Sequence, residues 1–288
     1  MFNSVGTLLE QANRGDAETQ YNLGNCYFYG KDVEKNYTQA AQWWAKAAER
    51  GNAKAQNCLG WCYDNGCGVR QDYVQAVRWY TKAAEQGNAV AQFRLGECYN
   101  YGKGVGNDCS QAVRWYTKSA EQGYANAQND LGHCYDNGLG VKQDYAKAAM
   151  WYTKAAEQGV ATAQHNLGNC YNYGKGVEKD CFQAVRWYTK AAEQGYAYAQ
   201  YNLGVCYYDG EGAARDYAKA AMWYTKAAEQ GNANAQFALG LCYYDGKGVR
   251  QDYVQARKWW VEASEQGHAK AKHNLRTLLF IKESFPPT

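Results

Sequence analysis

The sequence is poor in prolines, in net charge and in long apolar runs. Only two of the 288 residues are prolines, which leaves little room for a disordered linker. The 31 basic and 28 acidic residues nearly cancel to a formal net charge of +3, so charge gives no case for binding nucleic acid or an anionic membrane. No stretch approaches the roughly 18 apolar residues of a membrane span. A soluble protein with ample apolar material, 46% of the chain, is therefore expected.

In place of these features, the chain contains one unit that recurs along its whole length. Glycines from Gly15 to Gly267 and tryptophans from Trp43 to Trp259 follow one another at a constant spacing of 36 residues. A fixed period of this size is typical of a solenoid or a propeller, and it takes precedence over any local motif.

Each unit has the pattern of two helices. In its second half, DYVQAVRWYTKAAEQG, apolar residues such as Trp79 and Tyr80 fall at helical spacing. Asp72 is a good N-cap, and Gly87 accepts the left-handed conformation that closes a helix. The first half, NAKAQNCLGWCYDNG, predicts another helix that ends at Gly66. Two helices with short turns and no strand pattern predict an all-α fold, an α-solenoid of stacked antiparallel helix pairs.

These units resemble the Sel-one-like repeat (SLR) family, which is related to the tetratricopeptide repeats. The matching pattern is AxAQxxLGxxYxxGxGVxxDYxxAxxWYxKAAEQG, read from Ala53 through Gly87. The resemblance divides the chain into an N-terminal capping helix (1–14), seven 36-residue repeats (15–266), and a C-terminal capping helix and tail (267–288). It implies a right-handed superhelix and a role in assembling protein complexes, with no single biochemical activity.

The last helix is predicted to close the array. Lys272 and Arg276 stand where every earlier copy carries a glutamine and a glycine. A polar cap of this kind keeps a repeat array soluble and stops further stacking. Open fibres are therefore not expected, and the protein is predicted to be a monomer.

One face of the first helix changes from copy to copy, and we call it the changing face. Repeating positions such as Leu59 and Gly60 occupy a broad arc that must pack against identical neighbours, whereas the changing positions cluster on an opposite arc of roughly 120°. By resemblance to tetratricopeptide repeats, the first helix lines the concave surface, so the changing face is expected to form a groove for an extended peptide. The glycine at the middle of each first helix suggests close backbone approach to a neighbouring helix.

The changing face suits a peptide because its aromatic rings could bury side chains and its asparagine amides could bond to an extended backbone. Four of its apolar residues, Trp61, Phe93, Phe237 and Leu241, are expected to be exposed. The alternative is a solvated face that drifted after duplication. The predicted partner-binding residues are Tyr21, Asn22, Asn57, Trp61, Phe93, Arg94, Asn129, Asp130, His133, His165, Asn166, Asn169, Tyr201, Asn202, Phe237 and Leu241.

The cysteines are interpreted as structural. Equivalent positions in stacked repeats lie about 8–10 Å apart, which is too far for a disulfide, and free cysteine serves well as a small buried hydrophobe. Cys58, Cys62 and Cys67 lack a Cys-x2-Cys pair and a nearby histidine, so neither a metal nor a cofactor is expected. The cysteines that recur with the repeat are Cys26, Cys62, Cys98, Cys134, Cys170, Cys206 and Cys242.

Cysteine pairing also bears on the compartment. Cysteine-rich secreted members of the family pair the last turn of one unit with the first helix of the next, and the matching positions here are Ala84 and Gln92. The total of 11 cysteines is odd, and the first residues, MFNSVGTLLEQANRGD, do not read as a signal peptide. These features favour a reducing compartment and predict a cytoplasmic protein.

Two further motifs have local structural interpretations. The Gly-x-Gly pair, Gly66 and Gly68 in one copy, follows a helix, so it predicts a C-cap and turn and not a phosphate loop. A lysine ladder, Lys82 in the same copy, has a glutamate three residues on, Glu85, and therefore predicts local ion pairs.

No catalytic residue is expected, and the chain is predicted not to be an enzyme. None of its serines begins a Ser-x-x-Lys, and no Gly-x-Ser-x-Gly occurs. His133 and His165, on successive first helices, are interpreted as part of the changing face because no nucleophile motif accompanies them. Since cysteine-rich relatives have been linked to β-lactam binding and hydrolysis, a hydrolase or β-lactam-binding protein is the alternative. A solenoid that pairs with itself is a third.

Overall fold

The computed structural model describes residues 5–284, with side chains for residues 6–276. Residues 1–4 and 285–288, which belong to the predicted capping segments, lie outside the described residues. The described chain folds into sixteen helices without a strand. In chain order they are α1 Val5–Asn13, α2 Ala17–Tyr29, α3 Tyr37–Glu49, α4 Ala53–Asn65, α5 Tyr73–Glu85, α6 Ala89–Tyr101, α7 Cys109–Glu121, α8 Ala125–Asn137, α9 Tyr145–Glu157, α10 Ala161–Tyr173, α11 Cys181–Glu193, α12 Ala197–Asp209, α13 Tyr217–Glu229, α14 Ala233–Asp245, α15 Tyr253–Glu265 and α16 Ala269–Ser284.

Within each compact unit the helices stack as antiparallel pairs, with even-numbered first helices against odd-numbered second helices, so the predicted all-α solenoid is confirmed. They form two compact units: an N-terminal unit that ends at Asp144 and a C-terminal unit that begins at Tyr145. Within residues 5–284, no helix has both the length and the apolar character that a membrane crossing requires.

Helix ends follow the local chemistry of the sequence. The Asp72 carboxylate accepts hydrogen bonds from the backbone N–H groups of Val74 and Gln75, both at 3.0 Å. Gly66 closes α4 in the left-handed conformation, with φ at 68°. Gly68 also has a positive φ, and a Cβ there would collide with the backbone carbonyl of Tyr37 in the preceding repeat. The Gly-x-Gly pair is therefore a C-cap and turn, as predicted, and its second glycine lets neighbouring repeats touch.

The glycine at the middle of each first helix is explained by an aromatic ring. A Cβ on Gly60 would lie 2.6 Å from Cδ1 and 2.7 Å from Cε1 of Tyr80, which is fully buried in the paired helix α5. The predicted close approach exists, but the nearest atoms belong to a side-chain ring and not to a neighbouring backbone. A tyrosine or tryptophan ring meets the equivalent glycine at five further positions, Gly24, Gly96, Gly168, Gly204 and Gly240.

Buried glutamines link consecutive repeats. The side-chain amide of Gln56 donates to the carbonyl oxygen of Ala48 at 3.0 Å, and its own oxygen accepts from the amide of Gln86 at 2.7 Å. Because both ends of the buried amide are bonded, it carries little desolvation penalty and fixes the register of the stack. Gln92 and Gln122 repeat the arrangement one copy later.

The cysteine ladder lies mainly in the core. Cys62 is fully buried and Cys98 is 3% exposed, whereas Cys26 in the first copy is only partly covered. Burial raises the pKa of the Cys62 thiol to about 12, so the thiol is protonated near neutral pH. None of the eleven cysteines forms a disulfide, and the interpretation as small buried hydrophobes holds for the ladder after its first member.

Candidate functional site

The changing face of the N-terminal unit contains a pocket of about 330 Å³ between α2, α4 and α6. Its walls are largely aromatic: the Phe28 ring lies 5.4 Å from Trp61 in an edge-to-face contact and 5.2 Å from Trp44. The predicted residues Asn57 and Arg94 provide polar atoms at the same pocket. The remaining lining residues are Tyr21, Asn25, Tyr29, Cys58, Tyr80 and Val90.

The two polar groups of this pocket differ in how they are satisfied. Nη1 of Arg94 lies 2.8 Å from a carboxylate oxygen of Glu97 on the same helix, so its charge is compensated locally. The side-chain oxygen of Asn57 is buried and has no hydrogen-bond partner. An unpaired buried acceptor costs roughly 1–3 kcal/mol of stability.

Phe93 is not exposed, and that expectation was wrong. The side chain is 4% exposed because the Tyr124 ring, from the next repeat, covers it at a centroid distance of 5.1 Å. Tyr124 stands at the N-cap position of α8, where it makes no side-chain capping bond. Trp61, Phe237 and Leu241 are half-buried, so they too are less open than the sequence led us to expect.

The covering of Phe93 belongs to a recurring arrangement. In three repeats the fifth residue of a first helix contacts a ring 31 positions later, at the start of the next first helix, and we call these the lid pairs. They are Phe93–Tyr124, His165–Tyr196 and Phe237–His268. Where the later position holds asparagine, as at Asn52, Asn88 and Asn232, that side chain caps the helix instead.

Elsewhere in the N-terminal unit, the predicted residues lie apart from the pocket. Asn22 on α2 and His133 on α8 are exposed. The Asn129 amide donates to the neighbouring carboxylate of Asp130 at 2.9 Å, and burial raises the pKa of that carboxyl above its ordinary value.

The C-terminal unit brings three of the predicted residues into one polar cluster. Nε2 of His165 lies 3.0 Å from the amide nitrogen of Asn202 and 3.5 Å from that of Asn169. The Tyr188 hydroxyl donates to the side-chain oxygen of Asn169 at 2.7 Å. Burial lowers the pKa of His165 to about 4, so its ring is neutral near pH 7 and Nε2 accepts from the amides. Its Nδ1 is buried without a hydrogen-bond partner.

The other predicted residues of the C-terminal unit are distributed along its first helices. Asn166 is half-buried beside His165 in sequence, and Tyr201 faces the Tyr224 ring at 5.9 Å. Phe237 and Leu241 pack against the buried Trp260 at the last described repeat. His133 and His165 belong to different units, so no joint site is assigned to them.

Sequence reasoning missed Phe28, Trp44 and Tyr80, which form much of the pocket wall. Trp44 and Tyr80 belong to second helices, whereas the binding residues were sought on first helices only. Phe28 carried a usable signal, because the equivalent position of the next copy holds Asp64 and not an aromatic residue.

The lysine ladder does not form the predicted ion pairs. Nζ of Lys82 lies 4.3 Å from the ring centroid of Trp79, and none of the six ladder lysines of the described chain pairs with the glutamate three residues on. The tryptophan precedes each lysine by the same three residues, and its indole face attracts the ammonium group. The other contacts are Lys46–Trp43, Lys118–Trp115, Lys154–Trp151, Lys190–Trp187 and Lys226–Trp223.

Metal-binding geometry is not found in the part of the chain that the structure describes: no three histidine, cysteine, aspartate or glutamate side chains converge there. The repeated helix pairs, with an invariant packing core and a changing face on the first helices, define an α-solenoid repeat protein.

The chain belongs to the Sel1 repeat family. The Sel1 repeat model matches it seven times, at residues 17–52, 53–88, 89–124, 125–160, 161–196, 197–232 and 233–268. The resemblance inferred from the sequence is therefore confirmed.

Solved structures with the same fold support this assignment. The chain is similar to c5321, a protective antigen present in uropathogenic Escherichia coli strains that displays an SLR fold, with 39% identity and a TM-score of 0.88. The match covers 96% of this chain and 59% of the E. coli chain, so the chain spans less than two thirds of that relative.

A Sel1 repeat protein from Oxalobacter formigenes is 34% identical, with a TM-score of 0.76 over 95% of this chain and 79% of that one. The comparison with curated proteins gives no match.

Proposed function

We propose that this chain is a non-enzymatic scaffold that binds an extended segment of a partner protein on the changing face of its first helices. The observation that carries the proposal is the aromatic pocket of the N-terminal unit, with Asn57 and Arg94 among its lining residues. Packing against identical neighbours does not require such a pocket, whereas a side chain that enters it would bury apolar surface.

The C-terminal unit supports the same proposal through a different chemistry. The cluster of His165, Asn169 and Asn202 is uncharged near pH 7 and rich in amide groups. Amides both donate and accept, so such a surface matches the main chain of an extended peptide without requiring a charged partner. The two units would thus offer an apolar anchor and a polar contact surface.

The compartment, the oligomeric state and the class of partner are also proposals. Eleven cysteines without a disulfide suit a reducing compartment, and we propose a cytoplasmic monomer whose partner is a protein and neither a nucleic acid nor a membrane. The alternative of a hydrolase or β-lactam-binding protein is separated by a turnover assay on the purified chain with a chromogenic β-lactam. If turnover persists after the chain has been purified to homogeneity, the protein is an enzyme and the proposal of a non-enzymatic scaffold is rejected.

Two arginines of the N-terminal unit provide a matched test. Arg94 lies on the changing face at the pocket, whereas Arg78 is exposed on the second helix α5, 6.0 Å from the Trp79 ring. We expect Arg94→Ala to weaken capture of the partner by about tenfold, because residues inside an interface contribute most of the binding energy. Arg78→Ala should leave capture within about twofold, because Arg78 lies away from the changing face. Equal capture by both variants and the wild type would reject the changing face as the binding surface.

Tryptophan and phenylalanine replacements differ in value as tests. Trp61→Ala removes a half-buried wall of the pocket and is expected to weaken capture while the helical circular dichroism signal persists. Phe93→Ala empties a buried site, and a core change of this kind costs about 3–5 kcal/mol of stability. A loss of capture in the Phe93 variant is therefore interpreted only beside its measured stability.

A further inference from the structure

We propose that His268 is a proton-controlled lid on the changing face: its neutral ring covers Phe237, and protonation releases the ring from this position. The lid belongs to the C-terminal unit, and its consequence for binding rests on the proposed function of the changing face. The His268 ring stacks on the Phe237 ring at a centroid distance of 4.6 Å and an interplanar angle of 25°, the shortest distance and the smallest angle of the three lid pairs.

A hydrogen bond holds the His268 ring in the covering position. The backbone N–H of Ala271, in the first turn of α16, donates to Nδ1 of His268 at 3.2 Å. Nδ1 accepts only when it carries no hydrogen, so the covering ring is the neutral imidazole with its hydrogen on Nε2. A ring that takes up a proton at Nδ1 therefore loses one of the two contacts that orient it.

The other copies separate the two roles that His268 combines. Asn88 and Asn232 stand at the same position, cap their helices through the side-chain oxygen and present no ring. Tyr124 and Tyr196 also stand there, cover the residue 31 positions earlier and make no side-chain capping bond. Among the residues at this position in the described chain, His268 alone both caps and covers, and its capping atom takes up a proton within the range in which histidines titrate.

Protonation removes the capping bond and adds a charge where a charge is unfavourable. With a hydrogen on Nδ1, the ring would direct a donor at the N–H of Ala271, and it would carry its charge at the N-terminus of α16, where the helix dipole disfavours a cation. The Phe237 ring attracts a cation and opposes release. Burial and the neighbouring Lys270 nevertheless lower the pKa of His268 below its ordinary value near 6.5, so the surroundings favour the neutral ring.

One neighbouring charge acts on the His268 ring. Helix α14, which carries Phe237, has no charged residue before Asp245. Of the other groups at the adjoining ends of α15 and α16, Lys270 shifts the pKa of His268; these groups are Glu262, Glu265, Lys270, Lys272 and His273. Because the ring is the stronger base once it has left Phe237, protons favour the open lid. The open fraction is therefore expected to rise as the pH falls below about 6.5.

An open lid would expose an aromatic side chain without moving the backbone beneath it. The indole N–H of Trp260 donates to the carbonyl oxygen of Phe237 at 3.2 Å, and Trp260 is buried. The backbone of Phe237 is thus anchored to the core of the last described repeat, and only the His268 side chain has to move. Release would add an aromatic contact for a partner segment on the changing face.

The test follows Phe237 in the full chain by fluorine NMR. A para-fluorophenylalanine at position 237 reports solvent contact through the difference between its chemical shifts in ordinary and heavy water, measured from about pH 8 to about pH 5. This range stays above the pKa of about 4 of the buried His165. We expect the solvent difference to grow on acidification, with a midpoint below the ordinary histidine pKa of about 6.5. A solvent difference that stays constant while the His268 ring titrates in proton–carbon spectra would overturn the lid.

Two variants place residues of other copies at position 268. His268→Asn keeps a cap, as Asn232 does, and removes the ring, so its solvent difference should be large at every pH. His268→Tyr keeps a ring, as Tyr124 does, and does not titrate in this range, so its solvent difference should stay small. Both variants retain His273, the other histidine of α16. A pH dependence that persists in either variant, or a small solvent difference in His268→Asn, would refute the proposal.

The outcomes separate the lid from the proposed function, because the fluorine signal needs no partner protein. A lid that opens with pH, together with partner capture that ignores Arg94→Ala, keeps the lid and rejects the scaffold function of this face. Partner capture that depends on Arg94, with a fluorine signal that ignores pH, keeps the scaffold and rejects the lid. If both hold, capture by the wild type should rise on acidification and capture by His268→Asn should not; equal pH dependence of the two would reject the role of the lid in binding.

Discussion

Replacing Gly60 with alanine tests whether the Tyr80 ring sets the spacing of the helix pair. In an ordinary helix interior, alanine is favoured over glycine by about 1 kcal/mol. Here the new Cβ would lie 2.6 Å from a ring carbon of Tyr80, which is fully buried in the paired helix. Overpacking of this kind costs about 1–3 kcal/mol, so a net destabilisation of up to about 2 kcal/mol is expected.

The control is the same substitution in a chain without the ring. In the Tyr80→Ala background the clash is gone, and Gly60→Ala should raise the free energy of unfolding by about 1 kcal/mol through helix propensity alone. Urea unfolding followed by far-ultraviolet circular dichroism measures all four chains of this double-mutant cycle. An increase in stability from Gly60→Ala with Tyr80 in place would refute the packing explanation.

Two further predictions concern Lys82, which contacts a tryptophan ring and not the predicted glutamate, and His165, which is buried among amide groups. Lys82→Met should lower the free energy of unfolding by about 0.5–1 kcal/mol because it removes the ammonium from the Trp79 ring, whereas Glu85→Gln should change it little. If urea unfolding shows a larger loss in Glu85→Gln than in Lys82→Met, the ion pair and not the ring contact stabilises the helix. Protonation of His165, whose folded pKa of about 4 lies below its ordinary value near 6.5, should remove stability as the pH falls from 6.5 towards 4. His165→Asn introduces the residue that Asn57 provides at the equivalent position, and this variant should lose less stability between pH 6.5 and 4 than the wild type. An equal loss in the variant and the wild type would show that His165 does not cause the pH dependence.

Most of the fold could be predicted from the repeat period together with local signals at the helix ends. Constant spacing, an N-cap such as Asp72 and a closing glycine such as Gly66 are local signals, and local signals place helix ends well. The Gly-x-Gly turn followed from its position after a helix. These features need no knowledge of how one repeat contacts the next.

Contacts between repeats were where sequence reasoning failed. The burial of Phe93 depends on Tyr124, 31 residues later, and no helical periodicity within one helix reports that contact. The lysine ladder was ambiguous for a different reason: Trp79 and Glu85 are both three residues from Lys82, and spacing cannot choose between an indole face and a carboxylate. A comparison of N-cap residues between copies was the one available signal, since tyrosine there cannot cap a helix.

Only part of the candidate site could be predicted from the sequence, again because contacts between helices form much of it. Tyr21, Asn57, Trp61 and Arg94 were predicted on one face and do line one pocket, because position on a helix determines which way a side chain points. The walls from the second helices and the missing partner of Asn57 depend on distances between helices, which a periodic pattern does not specify.

The most direct measurement is site-specific photo-crosslinking at two exposed positions of the N-terminal unit. A photoreactive phenylalanine analogue replaces Asn22 on the first helix α2 in one chain and Arg78 on the second helix α5 in another, and neither change disturbs the core. If the first helices bind the partner, the chain with the analogue at Asn22 forms a discrete covalent adduct and the chain with it at Arg78 does not. Adducts from Arg78 alone, or equally from both positions, would contradict binding on the changing face.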